Sequence, residues 1–175
     1  SVILTSYNRP VLVSWSIACV RQQTLKEWEL WVMDDDSNAE TLDAIHKAAG
    51  GDARVIVVEQ AGGRPTMEER RAKTRYCITI NEALKCVRGE YIAYVCDDDG
   101  LYPRSLEVRA KFLDEHPEAH VVYGRLRSVT HDESVHWDSS GKPRPIWTFP
   151  EWGETDPETG KPVNPATWES PFTSP

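Results

Sequence analysis

The sequence predicts an α/β protein, a mostly parallel sheet with helices on both faces. Two observations carry that reading. Short apolar, β-branched runs at residues 1–5, 29–33, 53–59 and 90–96 alternate with segments of helical periodicity. The runs are also apolar throughout, which suits strands covered on both faces by crossover helices. A third observation concerns function. In such sheets ligands bind outside the carboxyl ends of the strands. There the chain carries Thr5-Ser6-Tyr7, then Asp34-Asp35-Asp36, then Asp97-Asp98-Asp99.

Each element follows from local chemistry. Residues 1–5 (SVILT) form the first strand. Tyr7-Asn8-Arg9-Pro10 opens a helix with Asn8 as N-cap and Pro10 in the first turn. Its expected buried stripe is Leu12, Trp15, Ile17, Ala18 and Val20, and it ends near Gln22. Residues 29–33 (ELWVM) are the second strand, and residues 39–49 a helix closed by Gly50-Gly51. Residues 53–59 (ARVIVVE) are the third strand, followed by a Gly62-Gly63-Arg64-Pro65 loop. Thr66 and Glu69 have capping-box spacing, opening a helix that runs to about Val87. Residues 90–96 (EYIAYVC) are the fourth strand, and residues 103–115 a helix with proline at its start. Residues 120–123 (HVVY) read as another strand, and 125–137 as a hairpin or strand pair.

The chain of 175 residues suits one domain. Its net charge of −8 argues against a general nucleic-acid binder. No run of about 18 apolar residues predicts a membrane span, and no basic, apolar leader opens the chain. The four cysteines, Cys19, Cys77, Cys86 and Cys96, show no CxxC spacing. They read as reduced, buried thiols of a cytoplasmic protein. Composition changes near residue 138: eight of the twelve prolines and four of the seven tryptophans lie from Trp137 onward. Residues 1–137 therefore read as a packed domain and 138–175 as a Pro/Trp-rich irregular extension. Because the sequence starts at Ser1, directly in a strand, it is expected to be an excised or incomplete polypeptide.

Three adjacent carboxylates in a cleft repel one another and need a compensating cation or protonation. Asp97-Asp98-Asp99 offers hard oxygen ligands suited to Mg2+ or Mn2+, whose open positions phosphate oxygens can fill. An aspartate triplet can equally be a solvated turn, and Asp34-Asp35-Asp36-Ser37 can simply cap the next helix. Two triplets at two strand ends of one sheet favour a shared site. Tyr7 offers a ring for stacking on a nucleobase, with Thr5 behind it. Arg70, Arg71, Lys73 and Arg75 form either a solvated face or an anion site at a helix start. His131 and His136 flank Asp132 and Glu133 without a zinc-site spacing.

The stretches SVILTSYNRP, QQTLKEWELWVMDDDSN and GEYIAYVCDDDG, with KTRY between them, resemble the donor-binding half of the GT-A fold, family 2 inverting glycosyltransferases. The likeness is strongest to their bacterial spore-coat polysaccharide members and covers about residues 1–130. It implies a nucleotide-diphospho-sugar transferase-like fold, a UDP- or dTDP-sugar donor, a saccharide or other hydroxyl acceptor, and Mn2+ or Mg2+. It implies roles at matching positions too. Thr5 and Tyr7 line the pyrimidine pocket, Asp35 accepts from the base N3–H, and Arg70 reaches a base carbonyl. Asp97 lies near the ribose, and Asp98 holds the metal with Asp99 as a second candidate ligand. The family's acceptor-binding half lies beyond the matched region. No residue here matches its general base, so the catalytic base is unassigned. Two other readings stand beside this one. The first is a catalytically incomplete sugar-nucleotide-binding or assembly module. The second is a nucleotidyltransferase, disfavoured because TSYNRP lacks the glycines of a phosphate loop.

Overall fold

The computed structural model describes residues 1–60, 66, 68–69, 75–124, 136–137 and 143–144. Along the chain run β1 (Val2–Ser6), α1 (Pro10–Arg21), β2 (Leu30–Asp34), α2 (Ala39–Ala49) and β3 (Val55–Glu59). Then come α3 (Arg75–Ala83), β4 (Ala93–Cys96), α4 (Ser105–Glu115), β5 (His136–Trp137) and β6 (Pro143–Arg144). The first four strands form one parallel sheet in the order β3-β2-β1-β4. The two-residue strands β5 and β6 pair with each other, antiparallel.

Strand side chains alternate between two apolar layers, as the pleat requires. Val2, Leu4, Leu30, Val32 and Val95 pack with Val13, Ile17 and Val20 of α1, Ile45 of α2 and Leu106 of α4. Ile3 and Met33 face the other way, against Ala83 of α3. The predicted α/β class with helices on both faces is therefore observed.

The expected closure of α2 at Gly50 is observed, in the left-handed conformation at φ 59°, while its start is capped by Asn38, which the sequence reading does not single out and which accepts from the Thr41 N–H. The Thr66 capping box is present: the Glu69 N–H donates to Thr66 Oγ1 at 3.2 Å and the Thr66 N–H to Glu69 Oε2 at 2.7 Å.

Other expectations need correction. Asn8 does not cap α1. Arg9 occupies that position without a side-chain bond, while Asn8 sits at φ 51° and accepts from the Asn38 N–H at 2.8 Å. It therefore joins the starts of two helices. The buried face of α1 also differs from the expected stripe: Val13, Ser14, Ser16 and Cys19 are buried beside Trp15, Ile17 and Val20, while Leu12 and Ala18 are only half-buried. α1 packs against the sheet, α2 and the third aspartate's loop at once, so polar Ser14 and Ser16 are covered and bond to backbone carbonyls. Nor does Ser37 or the first triplet cap α2. The Ser37 N–H instead donates to Asp34 Oδ2 at 2.9 Å.

β4 spans Ala93–Cys96, shorter than the expected 90–96, and Ala93 pairs with Val2 of β1. Residues 120–123 join no ladder among the described residues, and Val121 is 78% exposed. A β-branched run becomes a strand only where an edge is there to receive it. All four cysteines are free, but only Cys19 is buried; Cys77 and Cys86 are exposed and Cys96 half-buried. Cys77 lies two residues from the buried Thr79 of α3 and so faces away from the sheet. Of the hairpin expected at 125–137, only His136 and Trp137 are among the described residues, paired with Pro143 and Arg144. His131, Asp132 and Glu133 lie outside them.

Candidate functional site

From β1 the chain steps outward to β2 and β3, then crosses back to place β4 on the other side of β1. That reversal between β1 and β4 is the topological switch point, where an open α/β sheet leaves a crevice at its carboxyl edge. The ends of β1, β2 and β4 deliver Thr5, Tyr7, Asp35 and Asp97 to that edge.

The loop after β4 is fastened from several sides. Asp97 is buried, and its Oδ2 accepts from the Tyr7 N–H at 3.1 Å. Arg9 Nη1 donates to Asp97 Oδ1 at 3.1 Å and to Asp98 Oδ2 at 2.5 Å. Fully buried Ser16 reaches the carbonyls of Asp97 and Asp99 through its Oγ, at 2.9 and 2.7 Å. Burial pushes the Asp97 carboxyl above its ordinary range, as does the neighbouring Asp98 charge, while the Tyr7 N–H and Arg9 pull the other way. Asp98 is half-exposed, and Asp99 is exposed.

Cys96 Sγ and one carboxylate oxygen each from Asp98 and Asp99 lie within 4.8 Å of one another. The two carboxylates are a hard-oxygen pair that fits a divalent cation of the Mg2+ or Mn2+ type. Burial pushes the Cys96 thiol up, the hydrogen bond with Tyr94 pulls it down, and the charges of the three aspartates raise it further. Its Sγ contacts the Tyr94 hydroxyl at 3.2 Å, which in turn lies 3.0 Å from Thr5 Oγ1. Desolvation lifts the Tyr94 phenol to about 12.

On the β2 side, Asp35 is buried and its N–H donates to Ser6 O at 2.9 Å. Arg75, the first residue of α3, clamps the Asp35 carboxylate through Nε at 2.9 and 3.2 Å and through Nη2. Asp34 is almost fully buried, and desolvation raises its carboxyl. Buried Ser6 Oγ and Asp34 Oδ1 have no hydrogen-bond partner among the described residues.

The structure thus gathers Thr5, Tyr7, Asp35, Asp97, Asp98 and Asp99 at one sheet edge. Arg70 lies outside the described residues, with Arg71 and Lys73. Sequence reasoning missed Arg9, Ser16 and Tyr94, and gave Arg75 no part of its own. Arg9 had a signal: an arginine two residues after Tyr7, beside acids that needed a cation. Ser16 and Tyr94 had none, since both sit within apolar segments.

The family model described as glycosyl transferase family 2 matches residues 1–166. Protein CgeD of Bacillus subtilis is 40% identical over 129 residues, 74% of this chain and 29% of its own length. The Escherichia coli UDP-Glc:alpha-D-GlcNAc-diphosphoundecaprenol beta-1,3-glucosyltransferase WfgD is 29% identical over 135 residues, 77% of this chain and 48% of its own. The chain thus spans less than half the length of either relative. Among solved structures, S. aureus TarS 1–349 superposes with a TM-score of 0.54 at 27% identity, covering 66% of this chain and 32% of that one. The mannosyltransferase PcManGT from Pyrobaculum calidifontis, solved with GDP-Man and Mn2+, shares the fold at a TM-score of 0.51 and 21% identity, covering 64% of this chain and 31% of its own. With a parallel sheet of this order and a family match over nearly its whole length, the chain belongs to glycosyl transferase family 2.

Proposed function

We propose that this chain forms the donor-binding part of a metal-dependent, inverting glycosyltransferase. The donor is a UDP- or dTDP-sugar and the acceptor a hydroxyl of a saccharide. The observation that carries the reading is the Tyr7 N–H bonded to buried Asp97 at the switch point, with Asp35 one strand away. Asp35, Tyr7 and Asp97 follow the neighbouring strands β2, β1 and β4, which supports a base bound on one side of Tyr7 and a diphosphate on the other.

In this reading Tyr7 stacks on the pyrimidine with Thr5 behind it, and Asp35 accepts from the base N3–H. An ionised carboxylate has about four lone-pair sites, so Asp35 can hold Arg75 and still accept that proton. Arg75 then fixes the orientation of the acceptor oxygen. Arg70 reaches a base carbonyl, and Asp97 turns toward the ribose. Asp98, with Asp99, holds Mn2+ or Mg2+, and such an ion supplies neutralisation of the diphosphate as it leaves. The acceptor hydroxyl attacks the anomeric carbon from the face opposite the diphosphate, and a carboxylate base takes its proton. That base is unassigned in this chain. Residues 1–137 carry the donor site in this reading, 138–175 lead toward the acceptor half, and the location is cytoplasmic, where nucleotide sugars and free thiols coexist.

Calorimetric titration of UDP and dTDP tests the proposal, with Mn2+ and then with EDTA, on the full-length protein and on Asp98→Ala. The expected result is metal-dependent binding lost in the variant. Absence of binding by either nucleotide in a folded sample would overturn the donor-site reading.

A further inference from the structure

Three adjacent aspartates at one strand end need a cation, and the structure supplies one from the chain itself. Arg9 is the only basic side chain among the described residues that pairs with Asp97 or Asp98. It does so through a single nitrogen, Nη1, and not through the two-toothed fork that makes arginine–carboxylate pairs rigid. The two acids differ. Asp97 is buried and also held by the Tyr7 N–H, whereas Asp98 is half-exposed with Arg9 as its bonded partner. Arg9 is itself half-exposed, so its side chain has room to leave.

We propose that Arg9 is the resident counter-ion of the Asp97–Asp98 pair and couples cation binding to nucleotide binding: a divalent cation takes Asp98 from it, and the released guanidinium turns to the diphosphate. The inference rests on the donor-site reading above and goes beyond it in assigning this residue. Two cations on the one Asp98 carboxylate repel each other, so the ion and Arg9 compete for it. Arg9 stands at the N-cap of α1, where the helix N-terminus already favours an anion. A guanidinium released there meets phosphate oxygens, which its planar fork matches. A cation alone must displace Arg9 at a cost, whereas a cation arriving with a diphosphate gives Arg9 a new partner. Ion and nucleotide then strengthen each other's binding by the same factor.

Mn2+ binding to the full-length protein, followed by electron paramagnetic resonance with and without UDP, tests this directly. The comparison is wild type against Arg9→Gln and Arg9→Lys, with circular dichroism to show that each is folded. Without UDP, Arg9→Gln is expected to bind Mn2+ about tenfold more tightly than wild type, because the competing charge is gone. The gain in Mn2+ affinity on adding UDP is expected to shrink about tenfold in Arg9→Gln and less in Arg9→Lys. Unchanged or weaker Mn2+ binding by folded Arg9→Gln, with wild type binding Mn2+ and UDP normally, would overturn the role of Arg9 alone. If no protein bound Mn2+ even with UDP present, the metal site itself would fall, and the assignment of Arg9 with it.

Discussion

A Cβ built on Gly100 would lie 2.3 Å from Cη2 and 2.7 Å from Cζ2 of Trp15. The backbone that follows the third aspartate therefore crosses directly over a buried indole, and only a residue without a side chain leaves room. Trp15 is 2% exposed and lies within α1, so the ring has nowhere to retreat. Gly100→Ala is expected to destabilise the protein by about 1–3 kcal/mol through overpacking. It is also expected to weaken UDP binding, since the displaced backbone carries Asp99 and Asp98. Urea denaturation and calorimetry read the two effects, and an alanine variant unchanged in both would contradict this account.

The Arg75–Asp35 clamp makes a second prediction. Asp35 is 4% exposed, and Arg75 gives it a guanidinium from an element 40 residues along the chain. Removing the arginine leaves a buried carboxylate without its charge partner. Arg75 is itself partly exposed, so water recovers some of the loss. The expected cost of Arg75→Ala is roughly 1–3 kcal/mol. Arg75→Lys should recover only part of it, because an ammonium cannot reproduce two parallel N–H bonds. Urea denaturation of both variants measures the difference, and equal stability of wild type and Arg75→Ala would show that the clamp is not needed.

Glu29 sets a limit on acid stability. Burial alone would raise its carboxyl, but bonds from Ser1 Oγ, the Arg88 N–H and the Arg88 guanidinium outweigh it and hold the group at about 2. The folded value lies below the ordinary 4.5 of an unfolded glutamate. Its stabilising contribution is therefore complete above pH 4.5 and fades as pH falls toward 2. Glu29→Gln should be less stable than wild type at pH 7, with the gap closing across that acid window. A constant gap between the two proteins from pH 7 to pH 2 would refute the assignment, read from chemical denaturation at each pH.

What the sequence by itself determined are the features that local interactions decide. The end of α2 follows from Gly50 after it, and the Thr66–Glu69 box closes within one turn. The parallel sheet follows from runs apolar on both faces, and the strand-end aspartates are legible as candidate ligands because a parallel sheet presents its carboxyl ends to ligands. The tertiary structure decided the rest. Asn8 looks like a helix cap, but α2 claims its side chain across 30 residues. The HVVY run looks like a strand, but among the described residues no edge receives it. The basic side chain paired with Asp97 and Asp98 among the described residues is Arg9, 88 residues from Asp97, and Ser16 reaches the same loop from 81 residues away. Caps and periodicity are short-range and show in the order of residues. Charge pairing across a sheet depends on which strands become neighbours, and that is settled only when β4 crosses back to lie beside β1.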